Sequence, residues 1–184
     1  RSFALLGLEP GERVLILGCG TGLDFALIPG GVRADAVDAS PAMVRRARRR
    51  APGVDPAVEV HVMDATRTAY SDDAFDAVIL HLVLAVLPDP AAGLREAARV
   101  VRPGGRLAVL DKFVPGDGHP GWLRRLLERP AALAATSLSL RLGELVAGTC
   151  LRIEREEPAM LRGQFRLALL RRPEGCASHC HIGC

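Results

Sequence analysis

The run VLILGCGTG, residues 14–22, constrains the fold more than any other stretch of the chain. Val14–Leu17 reads as a short buried strand that runs straight into three glycines at alternate positions, Gly18, Gly20 and Gly22. Glycine lets the backbone take positive φ and lets a ligand approach the main chain. A strand that ends in such a turn before a helix is how open α/β sheets bind nucleotide-like cofactors. The spacing narrows the cofactor. A dinucleotide fingerprint, G-x-G-x-x-G, would need its third glycine at the next position, which is Leu23. G-x-G-x-G suits a ligand with no phosphate laid close along the loop, and S-adenosylmethionine is such a ligand.

The 184 residues, 49% of them hydrophobic, suffice for one α/β domain with a sizeable core and argue against disorder. A net charge of +3 gives no ground for a nucleic-acid partner. No run reaches the ~18 apolar residues of a membrane span. Residues 131–150 come nearest, and Arg141 and Glu144 interrupt them. With no signal-peptide pattern, the expected location is the cytoplasm. The chain opens at Arg1, close to the first strand, so residues are expected to precede it.

Apolar runs alternate with helix-like segments, as a mostly parallel sheet requires. Strands are predicted at Arg13–Leu17, Ala34–Asp38, Val58–Met63, Phe75–His81 and Arg106–Asp111, the last entered through a turn at Pro103-Gly104-Gly105. Short helices are expected from Leu23 to just before Pro29, after Ser40-Pro41 and after Asp89-Pro90. In the last of these, Leu94, Ala97, Ala98 and Val101 fall at i, i+3, i+4 and i+7, a buried stripe. Further helices are predicted at Trp122–Glu128 and Arg141–Ala147. Leu151–Glu156 and Phe165–Leu170 suit a terminal antiparallel pair.

Asp38 ends the second strand, where a carboxylate can accept from both ribose hydroxyls of a nucleoside. An acid favoured by the adjacent helix dipole is the plainer alternative, and the glycine loop upstream favours the ribose role. Asp64 ends the third strand, where it could accept from an adenine amino group while the Ala65 N–H meets a ring nitrogen. An ordinary strand-to-loop acid is the competing reading.

VLILGCGTG, ADAVDASPAMVRRAR, VHVMDAT, FDAVILHLVL and LREAARVVRPGGRLAVLD, in that order, resemble the class I S-adenosylmethionine-dependent methyltransferases over roughly residues 5–172. Within them the chain is most similar to the ubiquinone/menaquinone C-methyltransferase-like group. GTGLDFALIP and LPDPAAGLREAARVVRPGGR also resemble bacterial phosphatidylethanolamine N-methyltransferases. The resemblance implies a Rossmann-like, doubly wound, seven-stranded sheet, mostly parallel with the last strand antiparallel. The cofactor-binding residues expected are Gly18, Cys19, Gly20, Thr21, Gly22, Asp38, Ala39, Met43, Asp64, Ala65 and His81. Two departures stand out. The family places an acid two residues before the first glycine, to help hold the cofactor's methionine end; here it is Ile16, and Asp24 is the candidate substitute. The family also places a helical segment ahead of strand one, for which this chain has little room.

His81, at the end of strand four, is the first candidate for orienting an acceptor or removing its proton. A histidine packed at a strand end is the alternative. Asp111 is the second catalytic candidate, and His119 lies near the same edge. Trp122, Leu123, Leu126 and Leu127 mark one helix face with arginines nearby, which reads first as a core-facing helix and second as a peripheral membrane contact. Cys19 needs only to be small. Cys176, Cys180 and Cys184, with His179 and His181 between them, form a tail over 173–184 that matches no metal motif, so no metal site is expected.

The expected activity is methyl transfer from S-adenosylmethionine, giving S-adenosylhomocysteine, to a small-molecule or lipid acceptor: an amine, or a carbon or oxygen of a quinone-like ring. A non-catalytic cofactor-binding module and a metal- or thiol-handling protein are the rival classes.

Overall fold

The computed structural model describes residues 1–112, 141–160 and 165–175. They form a seven-stranded sheet in the order β3-β2-β1-β4-β5-β7-β6. The strands are β1 Arg13–Leu17, β2 Arg33–Asp38, β3 Glu59–Val62, β4 Phe75–His81, β5 Val101–Lys112, β6 Arg152–Met160 and β7 Phe165–Arg171. Strands β1 to β5 pair in parallel, and β7 runs antiparallel to both its neighbours. This is the α/β sheet expected.

The central strands are buried on both faces, which is why they read as unbroken apolar runs rather than alternating ones. Leu15, Leu17, Val78, Leu80, Leu107 and Val109 point into one core, shared with helices α3 (Pro90–Val100) and α4 (Leu142–Ala147). Val14, Ile16, Ala77, Ile79 and Ala108 point into the other, beneath α1 (Ser2–Leu6) and α2 (Pro41–Arg48). Both longer helices start as expected. Ser40 accepts from the Met43 N–H, Asp89 accepts from the Ala92 N–H, and each cap precedes a proline.

The short helix expected from Leu23 is a 3₁₀ helix, Leu23–Leu27. Two expectations need correction. Pro103-Gly104-Gly105 does not turn the chain into β5. The strand already begins at Val101, and the tripeptide forms an irregularity in it, because Phe75 pairs with Val101 while Ala77 pairs with Arg106. A helix does precede β1: the five residues of α1 end in Gly7, whose φ of 55° closes the helix. The Trp122 helix, His119 and the cysteines of the tail lie outside the described residues.

Arg106 fixes α1 to the sheet. Its guanidinium donates to the carbonyls of Leu6 and Gly7 at the end of the helix, and to both carboxylate oxygens of Glu12. That bidentate pair is largely shielded from water and holds the Glu12 carboxyl below its ordinary value. A carboxylate with a lowered native pKa stabilises the fold above its unfolded value and loses that contribution as pH falls through the native value. Glu12→Gln is therefore expected to cost about 1–3 kcal/mol at pH 7. In urea titrations the gap from wild type should close as pH drops below about 4.5.

Candidate active site

The order of the sheet reverses between β1 and β4, so the loops after these two strands leave on opposite faces and open a crevice between them. The crevice is a cleft of about 440 Å³. Gly18, Cys19, Gly20 and Thr21 line it from the loop after β1, Asp38 and Met43 from β2 and α2, and His81 from the end of β4. Those seven were expected. Leu23, Asp24, Leu82, Val83, Val86 and Leu110 complete the wall. Gly22, Ala39, Asp64, Ala65 and Asp111 are outside it.

Gly18 and Gly20 are glycines for different reasons. Gly18 has φ of 71°, and a Cβ there would lie 2.4 Å from a Val83 methyl, so the glycine lets the loop after β4 pack on the loop after β1. Gly20 has φ of 54°, and a Cβ there would meet nothing within 4 Å. Its open side is space a cofactor can take. The Gly20 N–H donates to Asp38 Oδ2 at 2.9 Å, and the Ser40 N–H donates to Asp38 Oδ1 at the same distance. Each carboxylate oxygen keeps a lone pair for a further donor. The open side of Gly20 and the remaining lone pairs of Asp38 thus fit a nucleoside with a vicinal diol.

Asp64 stands on the same sheet edge, because the Met63 N–H donates to the Asp38 carbonyl and brings the end of β3 alongside. Asp64 Oδ1 accepts from the Thr66 amide and hydroxyl, each at 2.8 Å, and these bonds hold its carboxyl below the ordinary value. Oδ2 has no partner among the described residues. Cys19 is buried, and burial followed by the nearby Asp38 charge pushes its thiol up to about 12. It is a small wall residue and no nucleophile at neutral pH.

Asp111 is almost completely buried beneath the turn after β4. Its Oδ2 accepts from the Ala85 N–H at 3.1 Å, its Oδ1 from the Lys112 N–H at 2.8 Å, and burial raises its carboxyl above the ordinary value. Its contacts hold the Leu84–Val86 turn in place. Ile16 is packed in the core beneath α1 and α2, so that position cannot reach a ligand.

The sequence did not show that Asp24 and His81 meet. His81 Nδ1 lies 2.8 Å from Asp24 Oδ2. A carboxylate accepts, so Nδ1 donates to it, and the tautomer with its proton on Nδ1 has its lone pair at Nε2. Nε2 is shielded from solvent and has no hydrogen-bond partner among the described residues. The Phe3 ring of α1 stands edge-on to the imidazole, with centroids 6.3 Å apart. Immediately after His81 the chain turns through Leu82 at φ of 56°, a left-handed conformation that leucine seldom takes. No residue type flags such a turn in advance.

Asp35, Glu59 and His61 also bring possible metal ligands within 4.8 Å of one another, away from the cleft. Arg13 binds both oxygens of Asp35, and the Tyr70 hydroxyl donates to it as well, so its charge is already answered.

Residues 15–109, more than half of the chain, match the methyltransferase domain family. The chain belongs to that family. This methyltransferase-family chain is 42% identical over 137 residues to the demethylmenaquinone methyltransferase of Beutenbergia cavernae, covering 72% of this chain and 55% of that protein. It is 34% identical over 121 residues to the phosphatidylethanolamine N-methyltransferase of Cereibacter sphaeroides, covering 65% and 60%. It therefore spans little more than half the length of these curated relatives. Among solved structures, the cyclase SpnF superposes with a TM-score of 0.80 at 21% identity, over 95% of this chain and 80% of that one. A likeness at that identity shows the fold alone, and this fold carries more than one chemistry.

The two glycines separate folding from binding. Gly18→Ala should unfold at clearly lower urea than wild type, because the new methyl and Val83 cannot share the space. Gly20→Ala should cost only about 1–2 kcal/mol of backbone strain. In calorimetric titration, however, it should bind S-adenosylmethionine at least about tenfold more weakly, by filling the open side of the loop.

Proposed function

We propose that the chain transfers a methyl group from S-adenosylmethionine to an apolar small-molecule or lipid acceptor. The observation that carries this reading is the make-up of the cleft: a glycine loop and the Asp38 carboxylate in its lining, together with exposed apolar side chains. Leu23, Leu82 and Val86 are 71%, 49% and 59% exposed, and all three line the opening. Large exposed apolar side chains lining the cleft suit an acceptor with a hydrophobic body.

Asp38 would hold the ribose hydroxyls, with Ala39 and Met43 beside it. Asp64 Oδ2 and the Ala65 amide would meet the adenine, and Gly18 to Gly22 would carry the rest of the ligand. The bound cofactor supplies an activated methyl group, so the protein's work is to align the acceptor and exclude water. Such positioning is worth up to ~7–11 kcal/mol of barrier. An amine acceptor needs no strong base. A hydroxyl or carbon acceptor does, and His81 Nε2, with Nδ1 held by Asp24, is the group for it. The relatives named for quinone and phospholipid methylation support both acceptor types. The cytoplasm remains the proposed location; among the described residues no helix is long and apolar enough to cross a membrane.

Methyl-labelled S-adenosylmethionine, incubated with the chain and a cell extract, should place label in the lipid-soluble fraction and none above background with Asp38→Ala. Label confined to water-soluble products would overturn the lipid acceptor. With a hydroxyl or carbon acceptor, His81→Ala should lower kcat by about 10²–10⁴ while leaving cofactor affinity within a few-fold. An unchanged kcat with such an acceptor would remove His81 from the role of base.

A further inference from the structure

The cleft mouth adjoins a surface that methyl transfer does not use. Arg45, Arg46, Arg48 and Arg49 project from the end of α2, Arg50 follows, and residues 39–54 contain no Asp or Glu. Val44 and Ala47 are the buried side of this helix. Two of the arginines are anchored. Arg48 donates twice to the Val60 carbonyl, and Arg50 Nη1 donates to the Thr21 carbonyl at 2.7 Å, which ties the end of α2 to the glycine loop. Arg45, Arg46 and Arg49 are exposed and have no ion-pair or hydrogen-bond partner among the described residues.

Two leucines of the 3₁₀ turn that follows the glycine loop, Leu23 and Leu27, are exposed, the latter 58%. Leu23 belongs to both surfaces: it lines the cleft, and it lines a neighbouring groove of about 390 Å³ whose opposite wall includes Arg49 and Arg50. A cationic helix face and an apolar lip therefore border one opening.

This combination is costly in water. Arg45 and Arg49 are one helical turn apart and repel each other, and the leucines keep apolar area wet. An anionic bilayer answers both. Its phosphates accept guanidinium donors in pairs, and the boundary between headgroups and acyl chains takes up the leucines. A nucleic acid would answer the arginines alone. We propose that this face docks the protein onto an anionic lipid surface with the cleft mouth turned towards the bilayer. Its purpose rests on the lipid-acceptor reading, but docking itself requires neither cofactor nor turnover.

The test is co-sedimentation of the full chain with vesicles of phosphatidylcholine alone or mixed with phosphatidylglycerol. Binding is expected only to the anionic vesicles, and it should weaken at least about tenfold as salt rises from ~0.05 to ~0.5 M. The combined Arg45→Glu, Arg46→Glu and Arg49→Glu variant should bind anionic vesicles roughly a hundredfold more weakly. Leu27→Ser should bind them a few-fold more weakly. Both variants should keep wild-type affinity for S-adenosylmethionine, which shows that the fold is intact. If charge reversal unfolds the chain, the corresponding Arg→Gln variant carries the comparison. Equal binding to neutral vesicles, undiminished binding by the arginine variant, or binding to duplex DNA without binding to vesicles would each overturn the docking face. Vesicle binding without labelled product would instead count against the methyl-transfer reading and leave the face standing.

Discussion

The carboxylate of Asp38 joins the pieces on which the site depends. One oxygen receives the Gly20 amide and the other the Ser40 amide, so a single side chain ties the glycine loop after β1 to the start of α2. Two charge-assisted bonds from backbone amides hold the loop in shape before any ligand arrives. They also leave both oxygens able to accept again. Remove the charge and the glycine loop and the start of α2 lose the bonds that tie them together. An acid at the start of a helix and an acceptor for ribose hydroxyls are compatible roles for Asp38 in this geometry.

The rest of the scaffold keeps that junction rigid by satisfying groups that a parallel sheet leaves open. Helix α3 passes into β5 with no connecting loop, which would strand the carbonyls at the helix end. Arg172, completely buried beyond the end of β7, reaches back to the Ala98 and Val101 carbonyls and to Asp73. Asp111 does the same for the turn after β4 by accepting the Ala85 amide. That turn in turn presses Val83 onto Gly18. The wall of the cleft beside Gly18 is thus set from the end of β5, through Asp111 and the turn after β4.

Much of this was legible in advance. The bounds of β1 and β4 match the sequence reading to the residue, since each is an apolar run with polar residues only near its ends, bounded by polar turns. Ser40-Pro41 and Asp89-Pro90 announced their helices because capping is a local hydrogen bond and proline suits the first turn. The misreadings share a cause. Pro103-Gly104-Gly105 has the composition of a turn, yet the partner strand absorbs it as an irregularity. Ser2–Leu6 is too short to be helical alone and forms because Arg106, remote in sequence, takes up its final carbonyls. Asp111 ends a central strand, and only the structure shows that its carboxylate is buried and accepts the Ala85 and Lys112 amides.

The sequence by itself determined the sheet, the glycine loop, the acid at the end of β2 and the methyltransferase family, because these depend on local periodicity, turn chemistry and spacing. Only the tertiary structure decided which residues meet. It set Asp24 against His81, brought Val83 onto Gly18, buried Ile16 and placed Leu23 between the cleft and the arginines of α2. Those pairings join segments far apart in the chain through the crossing of parallel strands, and no local pattern of residue types records which loops that crossing will bring together.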